Sequence, residues 1–167
     1  MILRPILLGA VLSALLPATA FAQAVQAIGT FKDWSAYSAS EGAGALCFAM
    51  SKPTDVSPMP DGYTQAYLYL THRPSENVSN ELNLVAGFEF APDQPATLSV
   101  GGQDFELFTQ KDAAWLLDQS QNDKLAGAMR KGSSVVISGT TSRGILVSET
   151  FSLSGATAAS KAIDAGC

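Results

Sequence analysis

Short alternating runs of apolar and polar residues, broken by turn residues, dominate the chain beyond residue 22. The clearest run spans Glu81 to Phe90. There Leu82, Leu84, Ala86, Phe88 and Phe90 alternate with Glu81, Asn83, Val85, Gly87 and Glu89. That period of two predicts a strand with one wet face and one buried face. Phe31–Ser38, with Trp34 and Tyr37, and Leu46–Met50 are predicted strands on either side of the small-residue turn Glu41-Gly42-Ala43-Gly44. Tyr63–His72 is another. Its Leu68 and Leu70 share one face while Tyr67 and Tyr69 share the other, which predicts a central position in a sheet. Thr97–Val100 and Gln103–Thr109 flank Gly101-Gly102, a strong signal for a two-residue hairpin. Val135–Ser138 and Ile145–Leu153 complete the set. Lys111–Leu117 fits no single period, and the prolines between Lys52 and Gly62 predict a loop without a ladder.

Two stretches read as helices. Asn122–Arg130 sets Leu125 and Met129 one turn apart and stops at Gly132. Gly155–Ala165 is rich in alanine, with Ser154 as its cap. Strands at this spacing predict an all-β sandwich with a short internal helix and a C-terminal helix. No internal repeat or long linker divides it, so residues 23–167 are expected to form one domain.

The N-terminus bears on compartment. Arg4 precedes an apolar run from Ile6 to Leu16, then Pro17, then Ala20-Phe21-Ala22. This is the grammar of a cleaved secretory signal over residues 1–22, leaving Gln23 as the first mature residue. No later apolar run approaches the ~20 residues that a spanning helix needs. The chain carries 10 basic and 15 acidic residues, a net charge of −5. Loss of Arg4 makes the mature protein more acidic. That balance argues against nucleic acid and anionic membranes as partners.

An exported chain folds in an oxidising space. Its cysteines are Cys47 and the terminal Cys167, which we read as a disulfide. Closing so long a loop contributes roughly 4–5 kcal/mol at most in the chain-entropy model. Two sulfurs and one histidine make a poor metal shell, and no metal or cofactor is expected.

Candidate chemistry is sparse. His72 is the sole histidine, so any Ser-His-acid hydrolase must use it, yet the Gly-x-Ser-x-Gly elbow is absent. Glu149 stands out as an acid on an otherwise apolar strand face. It reads as a structural carboxylate with Arg143 or Arg73 as partner. Trp34 and Trp115 are core residues or ligand platforms. Tyr63, Tyr67 and Tyr69 recur at period two and form a candidate binding surface for protein or peptide. A small-ligand cavity beside Trp34, Trp115 or the tyrosines is the alternative, and an envelope hydrolase using His72 a weaker one.

The ordered motifs resemble the invasion-associated locus B (IalB) family of exported bacterial proteins. They are Phe31-Lys32-Asp33-Trp34, Leu46-Cys47-Phe48-Ala49-Met50-Ser51-Lys52-Pro53, Arg73-Pro74, Gly87-Phe88-Glu89-Phe90 and Ala114-Trp115. Asp123 to Gly132, Ser142-Arg143-Gly144, Thr150 to Gly155 and the terminal Cys167 follow. Where many relatives carry another cysteine, this chain reads Ser35-Ala36-Tyr37-Ser38, so no second disulfide carries over. Glu149 stands where relatives often have Asp. The resemblance implies an immunoglobulin-like β-sandwich in the periplasm, secreted or at the cell surface of a Gram-negative bacterium. It implies no catalytic motif, and the family's name comes from a role in host-cell invasion.

Overall fold

A computed structural model describes residues 25–41 and 44–167. The expected signal segment and the Gly42-Ala43 turn lie outside the described residues. Eleven strands form one antiparallel sheet: β1 Gln26–Phe31, β2 Trp34–Glu41, β3 Gly44–Ser51, β4 Asp55–Ser57, β5 Tyr67–Arg73, β6 Val78–Val85, β7 Ala96–Val100, β8 Gln103–Gln110, β9 Ala113–Leu116, β10 Ser134–Thr140 and β11 Leu146–Ser152. Their spatial order is β1-β2-β3-β5-β6-β9-β8-β7-β10-β11-β4. Helix α1 spans Asn122–Lys131 and helix α2 spans Ala156–Gly166. The all-β sandwich with an internal and a C-terminal helix, expected from the sequence, is therefore the architecture of this chain.

The sheet folds over on itself into two layers. Just after β3 the chain enters β4, at the far end of the strand order, where Val56 pairs with Glu149 of β11. The indole N–H of Trp34 on β2 donates to the Ser152 carbonyl of β11 at 2.9 Å, joining the layers. Inward-facing residues, among them Trp34, Leu68, Leu84, Leu98, Ile137 and Phe151, form one core. Full burial of each large side chain stabilises by roughly 1.5–3 kcal/mol. Helix α1 adds Leu125 and Met129 to this core, while α2 adds Ala156, Ala159 and Ile163.

Four local expectations are corrected by the structure. The single strand expected over Phe31–Ser38 is two strands turning at Lys32-Asp33, where Lys32 takes φ 54°. The strand expected from Tyr63 begins at Tyr67, because Tyr63–Ala66 is held as loop by a bond from the Thr64 N–H to the Gly87 carbonyl at 2.9 Å. The strand expected to run to Phe90 ends at Val85. Gly87 adopts φ 71°, and a Cβ there would lie 2.3 Å from the Thr64 carbonyl oxygen, so the chain leaves the ladder. The proline-rich loop contains the three-residue edge strand β4, because Pro53 and Pro58 flank the ladder without interrupting it. The ambiguous segment resolves as β9.

Candidate functional site

The two outer faces of the sandwich differ in chemistry. On β7, β10 and β11 the outward positions are mainly hydroxylic: Thr97 pairs with Ser138, Ser138 with Ser148, and Val136 with Thr150. On the other layer a row crosses five strands in register. Met50 pairs with Tyr69, Tyr69 with Asn83, Asn83 with Trp115 and Trp115 with Phe108. A second row pairs Tyr37 with Phe48, and Phe48 with Thr71. Tyr67 lies in the row beyond, opposite Val85.

These rings contact one another. Tyr37 stacks on Phe48 at 5.2 Å between centroids, and Phe108 on Trp115 at 5.1 Å. Phe48 and Tyr69 are 6.0 Å apart, Tyr67 and Tyr69 6.1 Å. Such pairs contribute beyond their buried area. Tyr37, Phe48, Tyr67, Tyr69 and Trp115 are half-buried, and Phe108 is 41% exposed. Between the two stacked pairs runs an open groove of about 430 Å³. Phe48, Tyr69 and Trp115 line it together with Thr71 and Asn83, and Arg73 and Glu81 also border it. Arg73 is held there by Glu81 at 2.7 Å and Glu76 at 3.0 Å.

The three tyrosines read from the sequence separate. Tyr67 and Tyr69 lie on this face, but Tyr63 has left the strand and its hydroxyl donates to Glu149 Oε1 at 3.0 Å. Tyr63 is therefore the hydrogen-bond partner of Glu149, in place of Arg143 or Arg73. Arg143 sits exposed on the turn before β11 and pairs with no carboxylate among the described residues. Arg73 is committed to Glu76 and Glu81. Glu149 is 1% exposed, and its Oε2 has no hydrogen-bond partner among the described residues. Burial pushes its pKa up to about 8, against the partly offsetting Tyr63 bond, so it is largely neutral at pH 7. Burial, and then the Glu149 charge, push the Tyr63 hydroxyl pKa up as well.

Cys47 and Cys167 are joined, with Cα atoms 5.9 Å apart. In the register Cys47 sits opposite His72, whose Nδ1 lies 3.3 Å from Asp164 Oδ1 on α2. Burial lowers the His72 pKa and Asp164 partly opposes it, so the ring is neutral at pH 7. His72 Nε2 is buried and has no hydrogen-bond partner among the described residues. Of the two tryptophans, Trp34 is core and Trp115 belongs to the aromatic face. Among the described residues no cluster of His, Cys, Asp or Glu is arranged to hold a metal, and no helix is long and apolar enough to cross a membrane.

The model of the Invasion associated locus B (IalB) protein family matches residues 34–164. The chain belongs to the IalB family. No curated protein and no solved structure matches it. The IalB match opens at Trp34, which ties the two layers, and closes at Asp164, whose carboxylate faces His72. It thus takes in both aromatic rows and the buried Tyr63–Glu149 pair.

Sequence reasoning had Tyr67, Tyr69 and Trp115 in view, but not Tyr37, Phe48 and Phe108 as members of the same surface. Period-two patterning does mark each as facing away from its strand's core residues. Which strands lie side by side is a long-range property that it does not carry.

Proposed function

We propose that this IalB-family chain is an exported, non-catalytic protein of the bacterial envelope, acting by protein contact through its aromatic outer face, with a role in host-cell interaction. The observation that carries this reading is the contrast between the two faces. One sheet supplies both, yet one is hydroxylic and the other presents rings across five strands. Clustered exposed apolar surface of this kind marks contact sites, and aromatic residues are enriched at them. The disulfide and the signal-like N-terminus support export.

A photo-cross-linking side chain placed at Tyr69 or Trp115, and at Ser138 on the opposite face, tests this in cells. Adducts of defined mass are expected from the first two positions only. Equal yield from Ser138 would overturn the assignment. Export is tested separately by N-terminal sequencing, with Gln23 expected as the first residue.

A second reading, small-ligand binding, is favoured by an open cavity of about 510 Å³ bordered by Phe90, Phe108, Lys111 and Ser142. A ligand-dependent rise in melting temperature would support it.

A further inference from the structure

The groove on the aromatic face is neutral inside, because its charged lining, Arg73 and Glu81, is paired at 2.7 Å. Along the outward row of β5, which is Tyr67, Tyr69, Thr71 and Arg73, charge stands only at the two ends. At the first end Lys52 Nζ lies over the Tyr67 ring, 5.7 Å from its centroid. The turns at that end, Lys32-Asp33 and Lys111-Asp112, each carry one charge of either sign. At the second end one guanidinium, Arg73, is shared by two carboxylates, Glu76 and Glu81, so this end is negative. Six residues of strand set the ends ~20 Å apart, well beyond the ~8 Å screening length at physiological salt. Within one copy, Lys52 and the Glu76 end do not compensate each other.

The two walls of stacked rings are staggered about the same centre. Tyr37 and Phe48 stand in the Thr71 row, whereas Trp115 and Phe108 stand in the Tyr69 row, one strand repeat away. The complementary positions carry no rings. Ser35 and Met50 lie in the Tyr69 row, and Leu117, whose N–H bonds the Glu106 carbonyl, lies in the Thr71 row. A two-fold axis in the plane of this face, running across the strands between Tyr69 and Thr71, exchanges the two rows. It sets each ring wall of one copy over ring-free positions of the other. The same axis sets Lys52 and Tyr67 of one copy over Arg73 and Glu76 of the other. One operation therefore matches both the relief and the charge.

We infer that the aromatic face docks a second copy of this chain, in an isologous dimer that places Lys52 of each copy against Glu76 of the other. Lys52, Arg73, Glu76 and Glu81 sum to zero, so the chain's net charge of −5 is carried by other residues. From β2 to β8 the face is ~24 Å wide and it is ~20 Å long, about 500 Å² per copy and about 1,000 Å² in all, the size of a weak and reversible interface. The inference rests on the protein-contact reading above and names the partner.

Sedimentation equilibrium of the mature protein between about 5 and 500 µM tests it. A monomer–dimer equilibrium with a dissociation constant on the order of 10–100 µM is expected from an interface of this size. Lys52→Glu makes both ends of the face negative, and Glu76→Lys makes both positive. Each alone should weaken dimerisation about tenfold or more. Both residues are exposed, so neither substitution disturbs the core. An equimolar mixture of the two variants should associate nearly as well as the wild type, because opposed ends again differ in sign.

A wild type that stays monomeric at 500 µM would overturn the inference. So would a dimer indifferent to both substitutions, or a mixture of the variants that stays monomeric. A monomer that nonetheless cross-links in cells to a different protein through Tyr69 or Trp115 would overturn self-docking and leave the protein-contact reading intact. A monomer with no face-specific cross-link would overturn both.

Discussion

Replacing Glu149 by glutamine should make the protein more stable at alkaline pH. Glu149 is sealed in the core beneath Tyr63, with one oxygen hydrogen-bonded and the other orphaned. Its folded-state pKa of about 8 lies well above the ordinary value of 4.5. Below pH 4.5 the carboxyl is neutral in both states, and folding is not penalised. Between 4.5 and 8 the unfolded chain ionises while the folded one stays neutral, so stability is lost progressively as pH rises through that window. At 1.36 kcal/mol per pH unit the full loss amounts to about 5 kcal/mol, a large share of the total stability of a domain. Relaxation around the charge reduces this, and roughly 2–5 kcal/mol is the expected range. The substituted amide would accept the same Tyr63 bond through its oxygen and never ionise. Its nitrogen would stand unpaired where the second oxygen of the neutral acid already does. Urea unfolding of both proteins at intervals from pH 4 to 9 provides the assay. The variant should match the wild type within about 1 kcal/mol at pH 4 and exceed it by roughly 2–5 kcal/mol at pH 8.5. Parallel stability curves across the whole range, or a variant less stable at pH 8.5, would refute the reasoning.

Other outcomes follow from the same geometry. Tyr63→Phe leaves Glu149 with no partner on either oxygen, and should cost about 1–3 kcal/mol in urea unfolding at pH 7. Cys167→Ser releases the end of α2 from β3 and should lower stability by up to about 4–5 kcal/mol, with faster amide exchange concentrated in α2; an unchanged urea midpoint would contradict it. His72 has a depressed folded pKa, so its contribution is present above pH 6.5 and lost as pH falls below it, which opposes the gain from Glu149; His72→Gln should therefore make stability rise more steeply than in the wild type as pH falls from 6.5 to 5, measured by urea unfolding. Trp34→Phe removes the bond to Ser152 and leaves that carbonyl unpaired, with an expected cost of about 1–3 kcal/mol by thermal or urea unfolding.

Local signals are legible wherever their cause is local. Gly101 and Gly102 take φ of 58° and 74°, as a tight two-residue hairpin link requires. Asn122–Lys131 is helical close to the expected bounds, with Leu125 and Met129 buried. The alternation from Leu82 to Leu84 buries the leucines, as the period demands. The readings that failed depended on a distant neighbour. Tyr63 continues the period of Tyr67 and Tyr69, yet its place is set by Glu149, far along the chain on β11. Arg143 was a natural choice of partner by sequence proximity, but its turn leaves it exposed at the surface.

The pairing of two cysteines and the division of each strand into an inner and an outer face were determined by the chain alone, because parity and a two-residue repeat need no knowledge of neighbours. The joining of Tyr37, Phe48, Tyr69, Trp115 and Phe108 into one surface was decided only by tertiary structure. So was the burial of a carboxyl under a tyrosine from an unrelated loop. Both depend on strand order and register, which emerge from how distant segments share one core, and a shift of one residue in that register would turn those rings inward.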